Sequence, residues 1–215
     1  MKDLKSPLFD GIAPQDMDSM LGCIGYHIRT YQKGEIISLE EENIEHVGVV
    51  LEGAVDMIKE DLWGNRTMLV RAYPEDVFGE TFACGAESLS VVSFQAAQNT
   101  KVLFLSFCRV MHTCTHACIF HQTLIENMVR LIARKNRELM RKVEVVSKKN
   151  LREKILAYLS MQAQKQDSRY ITLPLGRIEL ANYIGANRSA LTRELAAMRE
   201  DGLIDYDKNT FRILE

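Results

Sequence analysis

The sequence predicts an α+β protein with an N-terminal antiparallel β domain, a long helix, and a C-terminal domain of short helices with a β-hairpin. Short apolar runs alternate with turn residues between Tyr31 and Phe107. No Gly or Pro interrupts residues 119–173, where apolar residues recur at helical spacing. Two short helical patterns and a polar turn between apolar runs follow Pro174. The predicted boundaries are 1–120, 121–147 and 148–215.

The composition argues against several classes of protein. The 215 residues are 47% hydrophobic and 26% charged, which is typical of a globular protein in water. No apolar run reaches the roughly 18 residues of a membrane span, and the first residues lack the apolar segment of a secretory signal. Five cysteines are an odd number for a disulfide framework. We therefore expect a cytoplasmic protein without membrane association. No nucleophile–base pair is recognisable, so no enzyme activity is expected.

The net charge of −2 conceals an asymmetry between the two halves of the chain. Residues 1–107 carry 8 Lys and Arg against 17 Asp and Glu, whereas residues 108–215 carry 19 against 12. An acidic half joined to a basic half suggests that only the second half meets a polyanion. A solvated basic helix would produce the same asymmetry, so charge alone does not decide.

Residues 8–30 are predicted to form short helical pieces, with a helix start at Ala13-Pro14 and with Met17, Met20 and Leu21 on one face. Gly64-Asn65 is predicted as a hairpin turn. The short apolar runs that follow predict an antiparallel barrel or sandwich. These runs are Glu35–Leu39, Val47–Leu51, Ala54–Ile58, Thr67–Val70, Val91–Phe94 and Lys101–Leu105.

From about His121 the pattern is that of one long amphipathic helix. Its apolar stripe needs a covering surface, either its own domain or a second copy of the helix. We favour a homodimer because the helix would extend far past the β domain. The apolar residues are Leu124, Met128, Leu131, Ile132, Leu139, Met140 and Val143.

The next segment predicts a helix at Lys148–Asp167, a polar loop at Gln162–Ser168 and a strand at Tyr170–Pro174. The core face of that helix is predicted to comprise Leu151, Ile155, Leu156 and Leu159. A shorter helix at Arg177–Ile184 follows, and its inward residues are predicted to be Ile178, Leu180, Ala181 and Ile184. Gly185 suits a tight turn, and Asn187 is a suitable N-cap for another helix.

The helix after Asn187 has one apolar and one polar face. Leu191, Leu195 and Met198 form the apolar stripe. This leaves outward the residue types that a recognition helix presents to the major groove, namely Arg188, Ser189, Thr192 and Arg193. Apolar runs at 202–206 and 210–214 flank a polar turn and predict a β-hairpin wing. The alternative is a helical hairpin with a solvated basic face. The spacing of the two helices, the basic first turn of the second helix and the predicted wing together favour binding of double-stranded DNA.

These residues resemble the CRP/FNR family of bacterial transcription regulators. The similarity is carried by Leu180-Ala181-x-x-Ile184-Gly185-x-x-Arg188-x-x-Leu191-x-Arg193-x-Leu195 and by Glu200–Ile204. The resemblance implies a cyclic-nucleotide-binding-type β-roll, a long dimerisation helix and a C-terminal winged helix-turn-helix. It further implies base or phosphate contacts by Arg188, Ser189 and Arg193, and a phosphate contact by Arg177. RNA polymerase is an expected partner, although no motif marks the surface it would touch.

The resemblance also implies a small-molecule effector. Asp76–Glu80 is similar to the opening of the family's phosphate-binding cassette, which places Gly79, Glu80 and Ser90 in an effector pocket. Cyclic-nucleotide binders carry an Arg about ten residues further on, where it neutralises the cyclic phosphate. Residues 87–92 contain no Arg. We therefore expect an unknown effector other than cAMP, or a Gly79-Glu80 turn with only a structural role.

The segment Cys108–His121 holds three Cys and three His. On a helix, Cys114 and Cys118 share one face, and His121 is three residues further on. Thiolate and imidazole ligands suit zinc or iron, haem binding through His is a further possibility, and a thiol near a His can sense oxidants. The alternative is that these residues only pack. The family's iron–sulfur cluster is not expected because the N-terminal region has only Cys23. These residues do not identify a cofactor.

Overall fold

The computed structural model describes residues 5–85, 87–111 and 119–214. The chain divides into two compact units, Met1–Arg134 and Lys135–Glu215. The first unit contains the β domain, and the second contains the short helices and the β-hairpin.

The first unit begins with a 3-10 helix at Pro7–Phe9 and contains eight described strands. Helix α4, Ile119–Val146, starts in this unit and ends in the second. The other elements are α1 Met17–Ile24, β1 Tyr26–Tyr31, β2 Ile36–Ser38, β3 His46–Glu52, β4 Val55–Glu60, β5 Arg66–Ala72, β6 Val77–Phe78, α2 Glu80–Ala83, β7 Ser93–Ala96, β8 Thr100–Ser106 and α3 Phe107–Met111.

Two antiparallel four-stranded sheets form a β-roll. Their strand orders are β1-β8-β3-β6 and β2-β7-β4-β5. The side chains buried between them are Val, Ala and aromatic residues, with Phe78 and Phe104 from one sheet and Phe94 from the other. Phe78 and Phe94 lie 5.2 Å apart between ring centroids, in a tilted arrangement that aromatic pairs favour. This core confirms the predicted antiparallel β domain.

A second core covers the outer face of the first sheet. Leu103 and Leu105 of β8 pack against α1 and the start of α4, which contributes Leu124 and Met128. The buried amide of Asn127 donates to the carbonyl oxygens of Leu8 and Asp10 at 3.1 and 2.7 Å. These two bonds hold the N-terminal segment on α4.

The first strand contradicts the sequence prediction for residues 26–30, which had been assigned to helical pieces. Tyr26–Tyr31 pairs along its whole length with β8. Its exposed and polar residues give no alternating apolar signal, and the partner strand lies about 70 residues away in sequence. Helix α1 begins at Met17, three residues after the predicted start, and buries Met17, Met20 and Leu21 as expected.

The hairpin turn predicted at Gly64-Asn65 is confirmed, with Gly64 at a φ of 82°, but the loop is longer than these two residues. The β4–β5 loop spans 61–65, and the Asp61 carboxylate accepts from the backbone N–H groups of Trp63 and Asn65, both at 2.9 Å. An Asp that binds backbone two residues ahead stabilises a longer loop.

The second unit has a single core. A three-stranded sheet of order β10-β11-β9 packs with three helices around Leu180, Leu191, Leu195 and Phe211. The elements are α5 Leu151–Gln166, β9 Tyr170–Thr172, α6 Arg177–Ile184, α7 Arg188–Glu200, β10 Ile204–Asp207 and β11 Thr210–Ile213. The predicted winged helix-turn-helix is confirmed.

Two local expectations in this unit are wrong. The helix α5 continues to Gln166, in agreement with the helix predicted at Lys148–Asp167, so the overlapping loop predicted from Gln162 is wrong there, and Gln162 is buried. Ile178 had been predicted to face inward, yet its side chain is 57% exposed. The other three apolar residues of α6 already fill the contact with α7, so the face that carries Ile178 is turned away from the core.

Candidate nucleic-acid interface

The turn between α6 and α7 sets the direction of α7. Gly185 ends α6 in the left-handed conformation, with φ of 67°, a region that favours glycine. Two residues later, the Asn187 side chain accepts from the backbone N–H of Ser189 at 2.8 Å and caps α7. The predicted turn and N-cap are both confirmed, and α7 therefore starts in a defined position beside α6.

Helix α7 has one buried and one exposed face. Leu191, Leu195 and Met198 are buried, as predicted. The four side chains proposed to read DNA are all exposed and lie on the first two turns: Arg188, Ser189, Thr192 and Arg193.

Both hydroxyls on this face have local acceptors. Ser189 Oγ donates to the Asn187 side chain at 2.5 Å, and Thr192 Oγ1 donates to the Arg188 carbonyl at 2.9 Å. Each hydroxyl oxygen can still accept a hydrogen bond from a donor on another molecule.

Glu194, the acidic residue of α7 next to Arg193, is paired with a residue of α5. Arg152 of α5 donates to Glu194 at 2.6 Å and to Asp201, just after α7, at 2.6 Å. Within the described ranges, no carboxylate forms an ion pair with Arg188 or Arg193. The exposed start of α7 is therefore a positively charged surface at the positive end of a helix, which favours phosphate. The sequence did not identify Arg152, because its partners lie 42 and 49 residues away.

The structure gives Arg177 a position that sequence analysis did not anticipate. Its guanidinium lies over the rings of Tyr206 and Phe211, at 4.9 and 4.7 Å from their centroids. Nη2 donates to the carbonyl of Lys208 at 2.8 Å. Burial lowers the pKa of Arg177. The side chain is thus packed on the β10–β11 hairpin, the wing, and its contact with a phosphate stays a prediction.

A cleft of about 240 Å³ opens in the β-roll. It is lined by His27, Arg29, Tyr31, Phe104 and Gly79, among others. The His27 ring stacks on Phe104 at 4.9 Å and meets His46 edge-on at 5.2 Å. Partial burial lowers the pKa of His27, and His46 and Arg29 lower it further. A neutral imidazole at neutral pH is therefore favoured at this position.

The three predicted pocket residues do not all reach this cleft. Gly79 lines it, whereas Glu80 and Ser90 are buried and are not part of its lining. Ser90 Oγ donates to the Val92 carbonyl at 2.6 Å. The Ser90 hydroxyl thus serves the local backbone. Sequence analysis missed His27 because the strand that carries it was not predicted.

The predicted Cys and His site is only partly within the described residues. Cys114 and Cys118 lie outside them. His121 is buried in α4, and its Nδ1 has no hydrogen-bond partner among the described residues. Cys84 is half-buried, and burial raises the pKa of its thiol to about 12, which disfavours the reactive thiolate. No group of three metal-ligating side chains occurs in the described part of the chain.

Helix α4 presents exposed apolar side chains at regular spacing. Val129, Leu139 and Val143 are 62%, 59% and 54% exposed. Together with Ile132 they follow the three- and four-residue spacing of a coiled-coil seam. Large contiguous apolar surface usually marks an interaction site. None of the helices in the described ranges is long and apolar enough to span a bilayer.

Two family models match the chain in its two halves. Residues 28–114 match the cyclic nucleotide-binding domain, and residues 153–215 match the Crp-like helix-turn-helix domain. Together they cover more than two thirds of the sequence.

Full-length relatives agree with these matches. The chain is 27% identical to a cyclic AMP receptor protein of Thermus thermophilus, over 98% of this chain and 93% of that protein. It is 24% identical to the transcriptional activator protein FnrA of Stutzerimonas stutzeri, over 94% and 82%. The fold is similar to the solved structure of CLP, a c-di-GMP-responsive global regulator of Xanthomonas campestris, with a TM-score of 0.62 and 16% identity over 94% of this chain and 99% of CLP.

Proposed function

The chain belongs to the CRP/FNR family of transcription regulators and binds DNA through its helix-turn-helix, and from this premise we propose how it reads its operator. Two copies of α7 enter successive major grooves of a two-fold symmetric site. Arg188, Ser189, Thr192 and Arg193 contact base edges and phosphates. The observation that carries this proposal is the exposed, positively charged start of α7, where Glu194 is paired with Arg152.

The dimer is proposed to form along α4. Val129, Ile132, Leu139 and Val143 stand at a and d positions of a heptad, where a second copy of the helix would bury them. Asn136 occupies the a position between Ile132 and Leu139. A polar residue at one a position favours two strands in one register. In this arrangement residues 1–120 form the sensor domain, 121–147 the dimerisation helix and 148–215 the DNA-binding domain.

The test is binding to duplexes selected from a random library. We expect submicromolar binding to a two-fold symmetric site with half-sites about 34 Å apart, one helical turn. Affinity is expected to fall steeply with salt. Each phosphate that the protein neutralises contributes about 0.9 to the slope of log affinity against log salt concentration. Electrophoretic mobility shifts at several salt concentrations measure both. A chain that shows no salt-sensitive preference for any duplex would contradict the proposal.

We further propose that the β-roll cleft receives a small effector other than cAMP. Four aromatic rings, two imidazoles and Arg29 are part of its lining, which suits a planar ligand with polar edges. The absence of an Arg in residues 87–92 argues against a cyclic phosphate, and so does the engagement of the Ser90 hydroxyl with Val92.

Thermal unfolding with cAMP tests the exclusion of that ligand. Millimolar cAMP is expected to leave the Tm unchanged, because residues 87–92 contain no Arg to neutralise its cyclic phosphate. A ligand present at about 100 times its Kd stabilises the folded state by about 2.7 kcal/mol, which a melting curve detects readily. A concentration-dependent rise in Tm with cAMP, absent with AMP, would overturn the exclusion. Native mass spectrometry of the purified protein would then identify any other molecule that co-purifies.

Three further expectations stay predictions. RNA polymerase is the expected protein partner, because the family regulates transcription. A cytoplasmic location follows from the proposed contact with the chromosome. The absence of enzyme activity is expected because the curated relatives carry names of regulators.

A further inference from the structure

We infer that Arg177 is a positioning residue for the wing, and that Lys208 at the wing tip is the side chain that meets the DNA backbone. The inference rests on the proposed DNA-binding function and concerns which residue supplies the phosphate contact beside α6. It replaces a direct phosphate contact by Arg177 with an indirect role.

The donors of Arg177 are directed into the protein. Nη1 is buried and has no hydrogen-bond partner among the described residues, and Nη2 donates to the Lys208 carbonyl at 2.8 Å. A bidentate phosphate contact requires two adjacent N–H groups facing solvent. The buried Nη1 removes the Nη1–Nη2 edge from such a contact, and Nη2 already donates to the wing.

Aromatic rings take the place of an anion at this guanidinium. Tyr206 and Phe211, which face each other across the wing strands, lie 4.9 and 4.7 Å from its Cζ. Such cation–π contacts strengthen when the cation is desolvated. Arg199 at the end of α7 lies over the same Tyr206 ring at 5.4 Å, and its Nη2 is 2.9 Å from the Asp205 carboxylate. The wing is thereby joined to the start of α6 and to the end of α7.

The wing tip is held by backbone hydrogen bonds, and the Lys208 side chain is left exposed to solvent. Lys208 is exposed and has a positive φ of 50° in the turn between β10 and β11. The next carbonyl, that of Asn209, accepts from the Leu173 N–H at 2.9 Å. The first helix of a helix-turn-helix crosses the DNA backbone. A wing tip bonded to the start of that helix therefore lies beside the phosphates, with the Lys208 ammonium as its free cation.

A double-mutant cycle in the full-length protein separates the indirect role from a direct contact. We expect Lys208→Gln to weaken binding to the selected duplex roughly three- to tenfold. It is expected to reduce the salt slope by about 2, because the dimer makes this contact twice and each phosphate contributes about 0.9. Arg177→Gln is expected to have a similar effect alone and to add less than about twofold in the Lys208→Gln background. Arg177→Lys is not expected to restore binding, because an ammonium does not reproduce the flat stacking and forked donation of a guanidinium.

A direct phosphate contact by Arg177 would give different results. If Arg177 holds a phosphate directly, the two substitutions are additive, the salt slope of the double variant falls by about 4, and Arg177→Lys recovers most of the affinity. If the wild-type protein binds the duplex and the two substitutions are additive, only this inference is overturned. If the wild-type protein binds no duplex, the proposed function is overturned as well.

Hydrogen exchange provides a readout independent of DNA. The Leu173 N–H is expected to exchange faster in Arg177→Gln and to keep its wild-type rate in Lys208→Gln, because only the first change loosens the wing turn. An unchanged Leu173 rate in a folded Arg177→Gln variant would overturn the positioning role. Arg177→Lys provides the same measurement if Arg177→Gln does not fold.

Discussion

Replacing Arg193 with alanine is expected to remove most of the protein's preference for its operator over unrelated duplexes. Arg193 is exposed on the second turn of α7, and no described carboxylate pairs with it. An arginine that donates two hydrogen bonds to guanine contributes about 1–3 kcal/mol of discrimination. A symmetric site contains that contact twice, so the specificity ratio is expected to fall by about 2–6 kcal/mol if the half-sites are independent. Competition binding with operator and scrambled duplexes measures the ratio.

Arg199→Ala is the matched control for this experiment. It removes the same charge from the same helix, but Arg199 is engaged with Asp205 and Tyr206 at the far end of α7. We expect its specificity ratio to stay close to that of the wild type, even where overall affinity declines. If Arg193→Ala keeps the wild-type ratio, Arg193 contacts only the phosphate backbone and the assignment of base reading to it is wrong.

Replacing Leu139 with glutamate is expected to separate the dimer. In the proposed seam, Leu139 faces its counterpart, and two carboxylates there would be desolvated next to each other. A monomer has one α7 and loses the gain from simultaneous binding of two half-sites, which is typically 10²–10⁴-fold. Analytical ultracentrifugation measures the mass. Titration of full and half operators measures the loss of affinity, which is expected for the full operator only.

Arg137→Gln is the matched control for the seam. It changes the net charge by the same single unit at an exposed α4 position, two residues from Leu139 and on the outward side of the heptad. We expect this variant to remain dimeric and to keep its affinity for the full operator. A Leu139→Glu variant that is still dimeric at low micromolar concentration would show that the proposed seam does not hold the two copies together.

The accuracy of the sequence predictions depended on how far apart the interacting residues lie. The exposed face of α7 was predicted correctly because a helix with a buried stripe at 191, 195 and 198 has its other face outward. Gly185 and Asn187 were predicted correctly because a left-handed turn and an N-cap are requirements of the adjacent backbone. These features involve residues within a few positions of one another.

Features that depend on distant partners were missed or misplaced. Strand β1 exists because β8 supplies its hydrogen bonds, and its own residues do not alternate between apolar and polar. Arg152 joins α5 to Glu194 and Asp201, and nothing in its neighbourhood in the sequence indicates this. The β-roll cleft is likewise assembled from strands that are far apart in the chain, so His27 and His46 were not predicted to meet.

Local sequence patterns were enough to predict a winged helix-turn-helix, an antiparallel β domain, a long amphipathic helix and the side chains that α7 exposes. Periodicity and capping act within one or two helical turns. The partners of the charged side chains, in contrast, depend on the folded chain. Glu194 is paired with Arg152, and the Arg177 guanidinium is packed on the wing. A long cationic side chain binds whichever acceptor or ring the folded chain brings within reach, and its own position in the sequence does not specify that partner.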